Sequence, residues 1–310
     1  MTNTTDWSHL RKPAGVLYTV AGSAGIVLNL VPGITFLAVK EFHKPAFSLM
    51  ASLCFSDAIE LSAIGIYGGV RLMQTSQLQV TKSDTYAWIF QYSQWFTGAT
   101  LFVIMAFNRL VSLKFWTKLN VYFFTLSTAL FCTVPHIFMS LLTVFLFLHV
   151  SVPGSWNSTF MTFAGGDKLI YRINEIVVYT SLIFQVIFNG WTLLSIRQRR
   201  RTVARDNVDK TSPFEVNFRR ESKLTFQCII TSSVFCTTTI FWQLLVWVSY
   251  RYPIPLQLLT LMHTIWIGNH VINPIIYFCF NSKLREIIRN SLYLRQTAST
   301  VCKIPTTTRV

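Results

Sequence analysis

Acidic residues are scarce in this chain. Only 12 Asp and Glu stand among 310 residues, against 27 Lys and Arg. Charged residues of both signs reach 13%, where soluble domains carry about a quarter. That shortage, set beside 52% hydrophobic residues, excludes an ordinary soluble domain and points to a polytopic membrane protein. Cysteine is sparse too. The six (Cys54, Cys132, Cys228, Cys236, Cys279 and Cys302) stand in apolar runs or in the tail. None falls where an outer loop is expected and none has metal-ligand spacing, so neither a structural disulfide nor a metal site is expected. The chain holds no hydrolytic triad, no glycine-rich phosphate loop and no His-Glu-x-x-His. No enzyme activity and no cofactor are expected. The N-terminal stretch MTNTTDWSHLRKP lacks the basic start, apolar core and cleavage site of a signal peptide, so the first apolar run should act as its own anchor.

What is abundant is long apolar runs. Seven are legible, at about 14–39, 46–73, 86–114, 120–150, 170–196, 224–250 and 256–280, each long enough to cross a bilayer as a helix. The expected fold is an all-α membrane protein, a seven-helix bundle over 14–280. It follows an outer N-terminus at 1–13 and precedes a surface helix at 281–293 and a flexible tail at 294–310. The net charge of +15 invites a nucleic-acid reading, but the basic residues flank apolar runs, where they set orientation. Nucleic acid is not an expected partner; membrane lipids are. With the N-terminus outside, the outer segments hold Arg11, Lys12, Arg71, Lys82, Lys168, Arg172 and Arg251, leaving 20 of the 27 inside. Positive charge belongs on the cytoplasmic side, so the N-terminus is expected outside, the C-terminus inside, at the plasma membrane. Asn3 and Asn157 then stand as glycosylation acceptors on the outer side.

Polar residues inside the runs carry the functional signal. Asp57 and Glu60 lie well within the second run, where a carboxylate is costly and usually functional. Asn29 is the lone amide of the first, beside a small-residue face of Gly22, Ala24 and Gly25 that admits a close helix neighbour. In the last run Pro274 removes a backbone donor and frees the carbonyl four residues earlier, and Asn273 is the expected local partner for it. Tyr277 lies one turn on. Phe280, Leu284, Ile287, Ile288 and Leu292 then recur at helical spacing while Lys283, Arg285 and Arg289 occupy other faces, the pattern of a surface amphipathic helix.

A spanning helix bearing Asn273, Pro274 and Tyr277 and running into a basic surface helix resembles the rhodopsin-like G-protein-coupled receptors. Asn29, the Leu53-to-Asp57 spacing and Arg109 also match that family's motifs. The resemblance implies a polar cavity of Asn29, Asp57 and Asn273, and a switch of Arg109 and Tyr277 with Asn273 and Pro274. It also implies that Glu221 pairs with Arg109 at rest and that Phe235 is the transmission aromatic. The departures are as plain. Asn108 and Leu110 flank Arg109 in place of the acid and the Tyr, Asp84 stands where a Cys would precede the third helix, and Gly98 replaces a Ser of the sodium cavity. The sixth helix has Thr239 for Trp. Motifs kept in the seventh helix and eroded elsewhere resemble the nematode serpentine chemoreceptors. That resemblance implies a heterotrimeric G protein as partner.

At the outer halves of the third, sixth and seventh helices stand Gln91, Tyr92, Trp95, Trp242, Gln243, His263 and Trp266. Aromatics in membrane helices are more often packing residues. As a pocket, this set suits a small, mostly apolar extracellular molecule. Gln91 replaces the Asp that binds amines in aminergic receptors, and no Lys precedes Lys283 in the last helix, which excludes a retinal Schiff base. In the tail, Thr297, Ser299, Thr300 and Thr306 to Thr308 offer hydroxyls to kinases, and Thr308-Arg309-Val310 offers an end that a PDZ domain captures; arrestin contact belongs to the same stretch. Cys302 is a lipidation candidate. The rival reading is a transporter or channel moving protons or ions through Asp57, Glu60, His263 and His270. The absence of an inverted repeat counts against it.

Overall fold

The structure, a computed structural model, describes residues 8–74, 81–114, 155–157, 162–164, 168–205, 213–249, 251–252 and 255–301, with helical positions 134, 137, 138, 141, 142 and 145. Apolar runs in lipid must satisfy every backbone group internally, so they fold as helices. These are α1 (Ser8–Ala38), α2 (Pro45–Leu61), α3 (Gly68–Met73), α4 (Lys82–Lys114), α5 (Lys168–Arg205), α6 (Pro213–Ser249), α7 (Leu256–Phe280) and α8 (Ser282–Val301). A 3-10 turn at Lys40–Phe42 joins α1 to α2. A two-stranded antiparallel hairpin pairs β1 (Ser155–Asn157) with β2 (Thr162–Ala164). The fourth expected span, 120–150, lies outside the described residues apart from its six helical positions. Of these, Val134, Ile137, Phe138, Leu141 and Phe145 are exposed at helical spacing, as side chains facing lipid are.

The second span is not one regular helix. Between α2 and α3 it loosens into a π-helical segment at Ser62–Tyr67, which periodicity does not announce. This segment and α3 after it lie close against α1. A Cβ at Gly22 would sit 2.8 Å from Gly65 Cα, and one at Gly15 would sit 2.6 Å from the Gly69 carbonyl oxygen. Only glycine lets the two backbones meet in this way. The small-residue face is therefore real, but its members are Gly15, Gly22 and Gly25; Ala24 is exposed.

The centre of the bundle is α4, packed against α2, α5 and α6, while α7 packs against α1, α2 and α6. Both α5 and α6 continue past their apolar runs as basic extensions, to Arg205 and from Pro213. At the end of α7, Arg285 donates to the carbonyls of Phe278 and Cys279, satisfying acceptors that a helix end leaves open. Asn281 caps α8 by accepting from the Leu284 amide at 3.0 Å. In α8, Leu284 is fully buried and Ile287 and Ile288 pack on the core. The helix runs to Val301, beyond the 281–293 that apolar spacing alone marks out. Phe280 belongs to α7 and is exposed.

Candidate ligand pocket and helix switch

Three groups of polar side chains lie along the bundle. The first is a cavity of about 40 Å3 lined by Ile64, Gln91, Tyr92, Trp95, Asn174, Trp242, Gln243, His263 and Trp266. It has room for roughly three water molecules. All seven pocket residues chosen from the sequence line it. The two missed are Ile64, placed by the π-helical segment, and Asn174 of α5, which stands between Arg172 and Glu175 and so gave no distinct signal. Trp266 packs against Trp95 at 4.6 Å and edge-on to Trp242 at 4.7 Å between ring centroids, and Trp95 donates its indole N–H to Asn174 at 3.1 Å. No Asp, Glu, Lys or Arg lines the wall.

Beside the pocket, the outer ends of α3 and α4 are clasped by Asp84, which is fully buried. Arg71 donates to both its carboxylate oxygens, Nε to Oδ1 at 2.9 Å and Nη2 to Oδ2 at 2.7 Å. Tyr67 donates at 2.9 Å. Thr81 and Asp84 also exchange hydrogen bonds across the start of α4, amide to carboxylate at 2.7 Å and amide to hydroxyl at 3.3 Å, which is a capping box. The position without a cysteine therefore holds a different tie, a bidentate ion pair. Among the described residues Cys54, Cys228, Cys236 and Cys279 are free; Cys132 and Cys302 lie outside them.

Below the pocket lies the second group. Trp266 lines the pocket and donates to Glu60 Oε1 at 3.2 Å. Glu60 Oε1 is 3.4 Å from His270 Nε2, and His270 Nδ1 is 2.7 Å from Asp57 Oδ1. Asn273 donates to Asp57 Oδ2 at 2.8 Å. Asn29 donates to the carbonyls of Gly25 at 2.9 Å and His270 at 3.0 Å. His270 is the residue four before Pro274, so its carbonyl is the one the proline frees. The expectation that Asn273 would satisfy it is corrected: Asn29 does so from another helix, and Asn273 serves Asp57. Of the predicted three, Asp57 and Asn273 meet directly, and Asn29 reaches them only through the His270 carbonyl; Glu60 and His270 are further members of this polar cluster. His263, predicted to share a role with His270, instead lines the pocket and packs on Tyr18 at 4.8 Å between ring centroids.

The third group lies where α4 and α6 meet, around Arg109 and Glu221. Arg109 pairs with Glu221 of α6 at 2.9 Å and is 4% exposed. Its Nε and Nη2 donate to Asn108 Oδ1, the Nε bond at 3.2 Å, so the side chain in the acid's place supplies the local acceptor. Ser112 accepts a long bond at 3.4 Å. Tyr277 is buried 5.9 Å ring to ring from Phe36, and its hydroxyl has no partner among the described residues. The structure does not join it to Arg109. Phe235 of α6 stacks on Phe102 at 4.6 Å and packs on Trp95 at 5.2 Å, joining the pocket wall to the sixth helix. Asn157 lies in β1; Asn3 lies outside the described residues.

The model of the family described as serpentine type 7TM GPCR chemoreceptor Srt matches residues 2–301. The chain belongs to this family. The Srt chain is also 21% identical to a protein described as a "Probable G-protein coupled receptor" of Caenorhabditis elegans, over 87% of this chain and 65% of that one. It thus spans about 65% of that relative's length. The crystal structure of squid rhodopsin matches at a TM-score of 0.71 with 14% identity, covering 96% of this chain and 89% of that chain. At that identity the likeness shows the fold alone, the seven-helix bundle. A receptor family in a non-enzymatic class does not favour the transporter reading.

Proposed function

We propose that this Srt chain is a plasma-membrane chemoreceptor that binds a small, neutral, mostly apolar molecule from outside and activates a heterotrimeric G protein. The observation that carries it is the convergence of Gln91, Tyr92, Trp95, Trp242, Gln243, His263 and Trp266 on one small cavity. Two of those residues also reach deeper, Trp266 to the Glu60 and His270 cluster and Trp95 to Phe235 of α6. An aromatic wall without an ionised side chain favours a neutral ligand, because a buried unpaired charge is costly. A ligand that wedges Trp266 and Trp95 apart binds one helix packing better than another, and that difference alone moves the equilibrium. The active packing would free Arg109 from Glu221, with Tyr277, Asn273 and Pro274 rearranging beside it, and open the cytoplasmic face to the G protein.

The lysine and arginine asymmetry supports an outer N-terminus with Asn3 and Asn157 glycosylated, an inner C-terminus and basic ends of α5 and α6 against anionic lipid. Arrestin or PDZ-domain contacts at the tail belong to the same orientation. The test is G-protein activation in cells expressing the chain, screened against small volatile and water-soluble molecules. A response in the wild type that is lost in surface-expressed Arg109→Ala supports the reading. Ligand-evoked current or uptake that survives Arg109→Ala and is lost in Asp57→Asn overturns it in favour of transport.

A further inference from the structure

We infer that the pocket takes a neutral hydrogen-bond donor, an alcohol, phenol or N–H compound, and that Gln91 selects it over the ketone, ether or N-methyl analogue. This rests on the proposed role of the cavity as the ligand site and narrows the class of molecule that fits it. Gln91 lies on α4, lines the cavity and is 8% exposed. Its side-chain oxygen is buried and has no hydrogen-bond partner among the described residues. An open carbonyl oxygen at membrane depth is costly, and an apolar side chain of the same length would avoid that cost.

The indole donors of the wall point to the same chemistry. Trp95, four residues on and so on the same face of α4, donates to Asn174 at 3.1 Å. Trp266 donates to Glu60 at 3.2 Å. These N–H groups are engaged by the protein, while the Gln91 oxygen is offered to whatever enters. A matching ligand therefore brings an O–H or N–H of its own. A ketone or ether sets oxygen against oxygen and leaves Gln91 open, which is how a site built for a donor rejects the analogue lacking it. No ionised side chain lines the wall, so the donor is neutral. Gln243 of α6 lines the same cavity, and its carboxamide gives the ligand a second polar contact on another helix.

The test uses the full chain in lipid nanodiscs and reads binding as a rise in melting midpoint, which needs no G protein. The probes are matched pairs: phenol and anisole, pyrrole and N-methylpyrrole, cyclohexanol and cyclohexanone. For a donor that binds, the half-saturating concentration should be below its partner's by a factor of about ten or more. Gln91→Met keeps the length and loses the acceptor, so the ratio should fall to about one. Equal affinity within the pairs overturns the inference. So does a preference that survives in Gln91→Met, because exclusion by shape alone would survive there. Where no probe binds, the ligand-free midpoint decides. Gln91→Met should then melt above the wild type by about 2 °C or more, since it removes an open buried acceptor; a midpoint at or below the wild type overturns the inference. G-protein activation in cells separates the two readings. Donors that bind without activating defeat the receptor and leave the donor requirement standing. Anisole or cyclohexanone binding and activating as strongly as its partner leaves the receptor and removes the requirement.

Discussion

At the scale of the residue, the bundle depends on a few groups that serve a neighbour far away in sequence. Asn29 is one. Its amide joins its own helix at Gly25 to the carbonyl of His270 that Pro274 leaves open. Asn29→Leu keeps the bulk and leaves that acceptor buried without a donor, a cost of about 1–3 kcal/mol. A fall of several degrees in melting midpoint is expected, with the chain still reaching the surface. Gly65 is another. A Cβ there would lie 2.7 Å from Gly22 Cα, so Gly65→Ala must push α1 away and should cost about 1–3 kcal/mol. Gly98→Ala is the matched control, because a Cβ at that buried glycine meets nothing within 4 Å. Comparing the two variants' melting midpoints checks the claim: equal losses would contradict it. The sequence showed that Pro274 must free a carbonyl, but not which side chain answers. Local chemistry is written in the neighbouring residues, whereas the answering donor lies 241 positions away and is chosen by packing.

At the scale of the element, the helices were legible because lipid admits few other structures. The π-helical segment was not legible, since one looser turn barely disturbs an apolar run. Nor was the clasp between α3 and α4. Asp84 was noticed only as the residue standing where a cysteine was missing, while its partners Arg71, Tyr67 and Thr81 come from both sides of residues 75–80. Through Tyr67 the clasp also reaches the π-helical segment that carries Ile64, and ties it to the helix that carries Gln91 into the pocket. Breaking one side of a buried ion pair strands the other charge, at a cost of about 3–5 kcal/mol. Asp84→Leu alone and Arg71→Met alone should each lower the melting midpoint markedly. The double variant, with no stranded charge, should recover much of the loss in a double-mutant cycle. Additive losses would show that the pair is incidental to the tie.

At the scale of the whole molecule, the proposed receptor is a balance between two packings of one bundle, and the ties between α4, α5 and α6 set where that balance rests. Arg109 and Glu221 hold α4 to α6. Beside them Arg199 of α5 donates to the Leu113 carbonyl at 3.4 Å and lies over the Phe218 ring of α6 at 4.8 Å. Because the Glu221 side chain is 15% exposed, its loss removes less than a fully buried pair would, about 1–2 kcal/mol. That corresponds to a factor of about 5–30 in an equilibrium. Glu221→Gln should therefore raise ligand-free G-protein activation by a factor in that range, read against surface expression, with no change in the pocket. Arg109→Ala breaks the same ion pair from the other side and should fall silent, because the side chain proposed to act in G-protein activation is then gone. If the tie were all that mattered, the two variants would behave alike. A silent Glu221→Gln/Arg109→Ala double variant beside an active Glu221→Gln would separate the restraint from the contact, and show that Arg109 serves in both packings.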